Sequence, residues 1–84
     1  MRIMYSYMMR EEPDRVRAVA PQHAAYWRAL DARGYLGGPF ADRSGGLITS
    51  EIDSNEEASR LIAADPFVQL DLLDASWMKQ WITE

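Results

Sequence analysis

Residues 2–9 constrain this chain more than any other stretch. Ile3, Tyr5, Tyr7 and Met9 fall on one face of an extended segment, and Met4, Ser6 and Met8 on the other. Side chains of a strand alternate between faces, so a strand with one solvated side alternates apolar with polar. Here both faces carry apolar groups, and both need cover. In 84 residues one layer of helices can cover one face, and the other must be covered by something else. A chain of this length makes a single domain, 1–84, that buries only about 60–65% of its unfolded surface and is marginal alone. With no cysteine it has no disulfide to compensate, which fits a reducing compartment. Small domains without such staples commonly gain stability by oligomerising.

Glu11-Glu12-Pro13-Asp14 is a polar connection, and 15–20 reads as loop or irregular helix. Pro21 suits the first turn of a helix. From there His23, Tyr26, Trp27 and Leu30 recur at helical spacing, while Gln22, Arg28 and Asp31 point elsewhere. Gly34 is placed to end this helix. Tyr35 to Phe40 reads as a second strand interrupted by Gly37-Gly38-Pro39, a mark of a bulge, an edge or close approach by a ligand. Residues 41–46 form a hairpin loop and 47–52 a third strand. Ser54 and Glu57 make a capping box at the start of a second helix. That helix is expected to run to Asp65, with a short turn over 66–70. Residues 72–82 read as the last strand. No linker, repeat or low-complexity segment interrupts the order.

The order β-α-β-β-α-β, with right-handed crossovers, puts both helices on one face of a four-stranded antiparallel sheet, the ferredoxin-like α+β arrangement. The other sheet face keeps several apolar side chains and is expected to meet a second copy of itself, giving a homodimer.

Leu61 to Phe67 (Leu-Ile-Ala-Ala-Asp-Pro-Phe) holds the chemistry. Ala58, Leu61, Ile62 and Asp65 fall on one helix face, so Asp65 continues the inward stripe. A carboxylate at a helix C-terminus opposes the macrodipole by a few tenths of a kcal/mol to about 1, and Pro66 fixes the end. An inward aspartate there needs a partner, and the one histidine, His23, lies on the buried stripe of the other helix. A carboxylate–imidazole hydrogen bond would fix the tautomer and increase the basicity of the opposite ring nitrogen. Two plainer readings stand beside this one. A lone histidine on an apolar face is more often core than catalyst, and an aspartate before proline commonly bonds the amides of the turn that follows, here 67 or 68; Asp65 could also pair with Arg15 or Arg17.

The net charge of −4 argues against nonspecific binding to nucleic acid or anionic membrane. No stretch approaches the roughly 20 apolar residues of a membrane span, and the N-terminus reads as a strand, not a signal peptide; a soluble, cytoplasmic protein is expected. One histidine and no cysteine make no conventional zinc site. Gly37-Gly38-Pro39 lacks the dinucleotide-binding glycine pattern, and no nucleophile elbow occurs. No metal or cofactor is expected. Tyr5, Tyr7, Trp27, Phe40 and Phe67, with Gly38 and Pro39, could line a pocket for a flat ring, although most of these aromatics serve equally as core.

Four pieces in order resemble the YciI-like (YCII-related) family of dimeric α+β barrel proteins: Arg17-Ala-Val-Ala-Pro-Gln-His23, Gly34-Tyr-Leu-Gly-Gly38-Pro39-Phe40, Ser54-Asn-Glu-Glu57-Ala58 and Ala64-Asp65-Pro66-Phe67. Trp81 falls where the family commonly has a tryptophan. The resemblance implies that His23 and Asp65 are an active-site pair and that the reaction is a cofactor-free elimination or isomerisation on a cyclic or aromatic metabolite. The best-understood activity in the family removes HCl from a chlorinated hydroxyhydroquinone. Asp71 departs from the pattern, standing where a small residue, often glycine, is common, and Gln80 stands where proline usually precedes the tryptophan. Two other readings remain: a non-catalytic small-molecule-binding domain on the same scaffold, and, by analogy with haem-degrading relatives, His23 as an axial ligand.

Overall fold

The computed structural model describes every residue except Asp31, so the placement expected for that side chain lies outside the described residues. Strand β1 (Arg2–Met9) is followed by helix α1 (Pro13–Ala29), strands β2 (Leu36–Pro39) and β3 (Gly45–Glu51), helices α2 (Asn55–Ala63) and α3 (Pro66–Gln69), and strand β4 (Leu73–Gln80). The sheet runs β2-β3-β1-β4 with every pair antiparallel. This is the α+β, ferredoxin-like arrangement.

Register explains which face is which. Tyr5 lies opposite Ile48 and Met78, and Ile3 opposite Ser50. The Ile3–Tyr5–Tyr7 face joins Ile48, Val19 and Trp27 of α1, Ala58 of α2 and Phe67 of α3 in one buried cluster. Met4, Ser6 and Met8 lie on the opposite face beside Leu47 and Trp77, where no helix covers them. Among the described residues no helix is long and apolar enough to cross a membrane.

Helix α1 corrects the sequence reading. It begins at Pro13, not Pro21, and runs through Pro21. Pro13 at the first turn and Asp14 beside it give the start signals that were assigned to Pro21. Val16, Val19 and Ala20 extend the His23–Trp27 stripe backwards, so burial holds the helix together across the proline. A proline there removes the hydrogen bond to the Arg17 carbonyl and costs a helix interior about 3 kcal/mol in isolation.

Gly34 also has a different role. The helix is capped at Leu30, and Gly34 takes φ +65° in the turn before β2. A Cβ at Gly34 would lie 2.4 Å from an Arg2 guanidinium nitrogen, and that guanidinium donates to the Gly34 carbonyl at 3.1 Å. The glycine serves the β1 contact and not the helix end. Strand β3 starts two residues before the expected Leu47, and β4 is trimmed to Leu73–Gln80. At α2, Ser54 caps as expected, accepting from the Glu57 amide at 3.1 Å.

Candidate active site

Helix α2 ends before Asp65. With φ −61° and ψ 132°, Asp65 has left helical geometry and caps α3, accepting the Phe67 amide on Oδ1 at 2.9 Å. The expected conflict with the α2 dipole is therefore absent, because the carboxylate sits at the start of a helix and not at its end. Both sequence alternatives hold at once: Asp65 organises the turn and also faces inward.

Its side chain is fully buried. His23 Nδ1 donates to it at 2.8 Å, and Trp27 Nε1 donates to Oδ2 at 3.0 Å. With the Phe67 amide, every hydrogen-bond neighbour of this carboxylate is an N–H donor, which is the environment of an ionised acceptor. Trp27 Nε1 and the Phe67 amide can only donate to this carboxylate, and a proton on His23 Nδ1 gives it a third donor of the same kind. The opposite nitrogen, Nε2, meets the Tyr7 hydroxyl at 3.1 Å. In the neutral imidazole that hydroxyl donates to the Nε2 lone pair.

The ring is held sideways as well. Phe67 stacks on His23 with centroids 4.2 Å apart and planes 19° apart, and Tyr7 meets the ring edge-on at 5.4 Å. Gly46 makes room for this arrangement, since a Cβ there would lie 2.3 Å from the Tyr7 hydroxyl. Burial, then the nearby Asp65 charge, push the Tyr7 phenol up to about 12. Tyr7 therefore stays a neutral donor across the physiological range. Tyr5 is pushed further upward by the same two causes.

His23, Tyr7 and Phe67 lie on the wall of an open cleft of ≈ 1820 Å³ between α1 and the β2–β3 hairpin, with Gly38 and Pro39 on the hairpin side. Tyr5 and Trp27 are not on that wall. They lie behind it in the core, and the Tyr5 hydroxyl has no hydrogen-bond partner among the described residues. Phe40 also lies off the wall; its backbone closes the hairpin through Gly45 and Arg43. Of the nine residues singled out from the sequence, His23, Asp65, Tyr7 and Phe67 converge, with Trp27 behind them.

Sequence reasoning missed the Trp27–Asp65 and Tyr7–His23 bonds. The signal for Trp27 was present: it lies four residues from His23 on one stripe, and a buried indole N–H needs an acceptor. Tyr7 gave no such signal, because its reach to α1 depends on sheet register. No group of three or more metal-ligating side chains occurs among the described residues. Both imidazole nitrogens are engaged, so an axial bond to haem would have to displace Tyr7 from Nε2.

The sequence pattern of the YCII-related domain matches residues 1–82. The chain belongs to the YCII-related family. Within that family's fold, the chain is similar to the 5-chloro-2-hydroxyhydroquinone dehydrochlorinase TftG of Burkholderia phenoliruptrix AC1100, solved with 2,5-dihydroxybenzoquinone. The two are 24% identical, with a TM-score of 0.85, over 100% of this chain and 96% of that one. It is also similar to Rv0793 of Mycobacterium tuberculosis, at 19% identity and a TM-score of 0.59, over 99% of this chain and 95% of that one. At these identities the likeness is one of fold. No curated protein sequence matches the chain.

Proposed function

We propose that this member of the family is a small cofactor-independent enzyme in which His23, oriented by Asp65, moves a proton on a cyclic or aromatic metabolite. The observation that carries the reading is the hydrogen-bonded line Asp65–His23–Tyr7 set into the wall of an open cleft. In an elimination the Nε2 lone pair takes a proton from the substrate. The electron pair of the broken bond becomes the new π bond, and the leaving group, chloride or hydroxide, departs with its own bonding pair. Asp65 stabilises the imidazolium that forms. Tyr7, released from Nε2, remains a neutral donor for a substrate oxygen. An isomerisation uses the same base and returns the proton to a different carbon. The dehydrochlorination named for the structural neighbour TftG is chemistry of this kind.

A binding-only reading has one observation in its favour: with Tyr7 on Nε2, the polar groups of the pair are satisfied without any ligand. The homodimer belongs to the proposal too, through the helix-free sheet face, where Leu47, Trp77 and Trp81 stand exposed.

Turnover of chlorinated and hydroxylated phenols, quinols and lactones tests the catalytic reading. His23→Ala is expected to lower kcat roughly 10²–10⁴-fold, the usual worth of a general base. Nitrogen-15 NMR of the wild-type imidazole is expected to place its proton on Nδ1. Turnover that survives His23→Ala overturns the reading, and binding without turnover across the panel selects the non-catalytic one.

A further inference from the structure

Three hydroxyl side chains line the cleft, those of Tyr7, Tyr35 and Ser44. Two are occupied: Tyr7 meets His23 Nε2 at 3.1 Å, and Ser44 donates to Asp42 at 2.6 Å. The Tyr35 ring is partly buried against the core, and its hydroxyl has no hydrogen-bond partner among the described residues.

Strand register says where that hydroxyl lies. Gly37 pairs with Ile48, and Ile48 with Tyr5, so Gly37 belongs to the sheet face that the helices cover. A Cβ at Gly37 would lie 2.6 Å from the Tyr35 oxygen. The hydroxyl therefore fills, on that face, the space of the missing side chain. The Tyr7 hydroxyl does the same at Gly46, where a Cβ would lie 2.3 Å away. Gly46 is two residues from Ile48 on β3, which makes the two glycines diagonal neighbours on adjacent strands, about 7–8 Å apart. Both phenol oxygens thus sit over one patch of the hairpin, at a separation that one substituted ring can bridge. Electrostatics agrees with the register: burial raises the Tyr7 phenol most, Asp65 next and the Tyr35 phenol after them, as two phenols in reach of each other require.

The cleft has no comparable provision for an ion. With Arg10 paired to Asp71 and Arg17 to Asp14, it keeps Arg28 and Arg43 against Glu11, Asp42 and Asp74. Charges of both signs remain, without an excess of cations, so recognition falls to the uncharged hydroxyls.

We propose that Tyr35 is the second oxygen-binding group of the site. Its phenol donates to one ring oxygen while Tyr7, released from His23, serves another, so the cleft selects rings carrying two or more oxygens over rings carrying one. Gly37 is part of the device, because only a residue without a side chain leaves the Tyr35 hydroxyl in that position. This assignment rests on the small-ring reading of the cleft, but it concerns binding and can fail separately from catalysis.

The test is an NMR titration of the full chain with phenol, resorcinol and hydroquinone. The proteins are wild type, Tyr35→Phe, Gly37→Ala and the double variant. Wild type is expected to bind at least one of the two diols about five- to tenfold more tightly than phenol, the worth of one neutral hydrogen bond, with shifts at cleft residues. Tyr35→Phe keeps the ring and its packing and removes only the hydroxyl. The diol preference should then fall to the statistical advantage of two equivalent hydroxyls, while a retained phenol affinity shows that the fold is intact. Gly37→Ala leaves Tyr35 chemically whole but pushes its oxygen aside, so the same loss is expected, and the double variant should lose no more preference than Tyr35→Phe alone. A wild type without the preference, shifts outside the cleft, or a preference that survives Tyr35→Phe overturns the assignment. The two proposals separate cleanly: a diol preference that needs Tyr35, in a protein that turns nothing over, removes only the catalytic reading, and turnover without the preference removes only the Tyr35 subsite.

Discussion

Asp65 holds three N–H donors on two oxygens, and that count decides what a substitution does. Asparagine has the same shape but one acceptor oxygen, and its amide would point at a donor. In Asp65→Asn at least one of the His23, Trp27 and Phe67 donors loses its partner in a fully buried site. The expected loss is about 2–4 kcal/mol, measured by urea denaturation; a loss under about 0.5 kcal/mol would mean the three bonds are not made together. Tyr7 gives a pH prediction. Its phenol is raised from the ordinary 10.0 to about 12, so the unfolded chain releases that proton first. Stability is fully present below pH 10 and falls between about 10 and 12, by up to about 2–3 kcal/mol from this residue. Tyr7→Phe should reduce that alkaline slope, leaving the part that the raised Tyr5 phenol supplies, and an unchanged slope would deny Tyr7 the role. The His23–Asp65 pair was legible in the sequence because each residue occupies an inward position on its own helix stripe or turn. Tyr7 was legible only as a face of a strand, since what it touches depends on which way α1 crosses the sheet.

The elements record where local signals compete. Pro13 and Pro21 both carry helix-start chemistry, and the sequence offered no local reason to prefer the earlier one over the later. What decides is tertiary burial of Val16 and Val19, which sustains the helix through Pro21. The end of α3 shows a departure from the family pattern explained by geometry. Leu72 donates to the Phe67 carbonyl and Asp71 to Val68, the paired bonds of a Schellman ending, with Asp71 at φ +55° in the left-handed position. Glycine is the ordinary occupant of such a position, because it takes positive φ without a Cβ clash. The Arg10 contact with Asp71 only partly offsets the strain, because both side chains are well exposed and such a pair contributes about 0–1 kcal/mol. Asp71→Gly is accordingly expected to be neutral or stabilising by up to about 1 kcal/mol, and Asp71→Val destabilising by about 1–2 kcal/mol. Thermal midpoints ranking Gly at or above Asp, and Asp above Val, check this. A clear loss in the glycine variant would make the Arg10 pair the stronger term.

At the scale of the whole molecule, the two-faced apolar pattern of β1 already pointed to cover on both sides of the sheet. Topology was legible for that reason: six periodic segments, short connections and crossover handedness leave few arrangements. What covers the second face is a prediction. On it Leu36 is 74% exposed, Trp77 and Trp81 each 50% and Leu47 38%, while Met4 and Met8 lie between them half-buried. Isolated apolar side chains on a surface need no explanation, but these share one face with only Ser6, Thr49 and Lys79 set among them in the strand register, and such a grouping is what an interface is expected to show. The face spans all four strands, so a second copy placed on it by a two-fold axis would bring identical patches together. Light scattering at neutral pH is expected to give twice the 9.6 kDa of one chain, with a thermal midpoint that rises with protein concentration, as required when folding and association are linked. Leu47→Asp with Trp77→Asp puts two charges into the centre of the face and leaves the His23 cleft untouched. That variant should run as a monomer of lower thermal stability, because a domain of this size has little reserve once its second layer is lost. A wild type that remains at 9.6 kDa at the highest concentration reached, or a double variant that still dimerises, would mean that this face is covered by something other than a second copy.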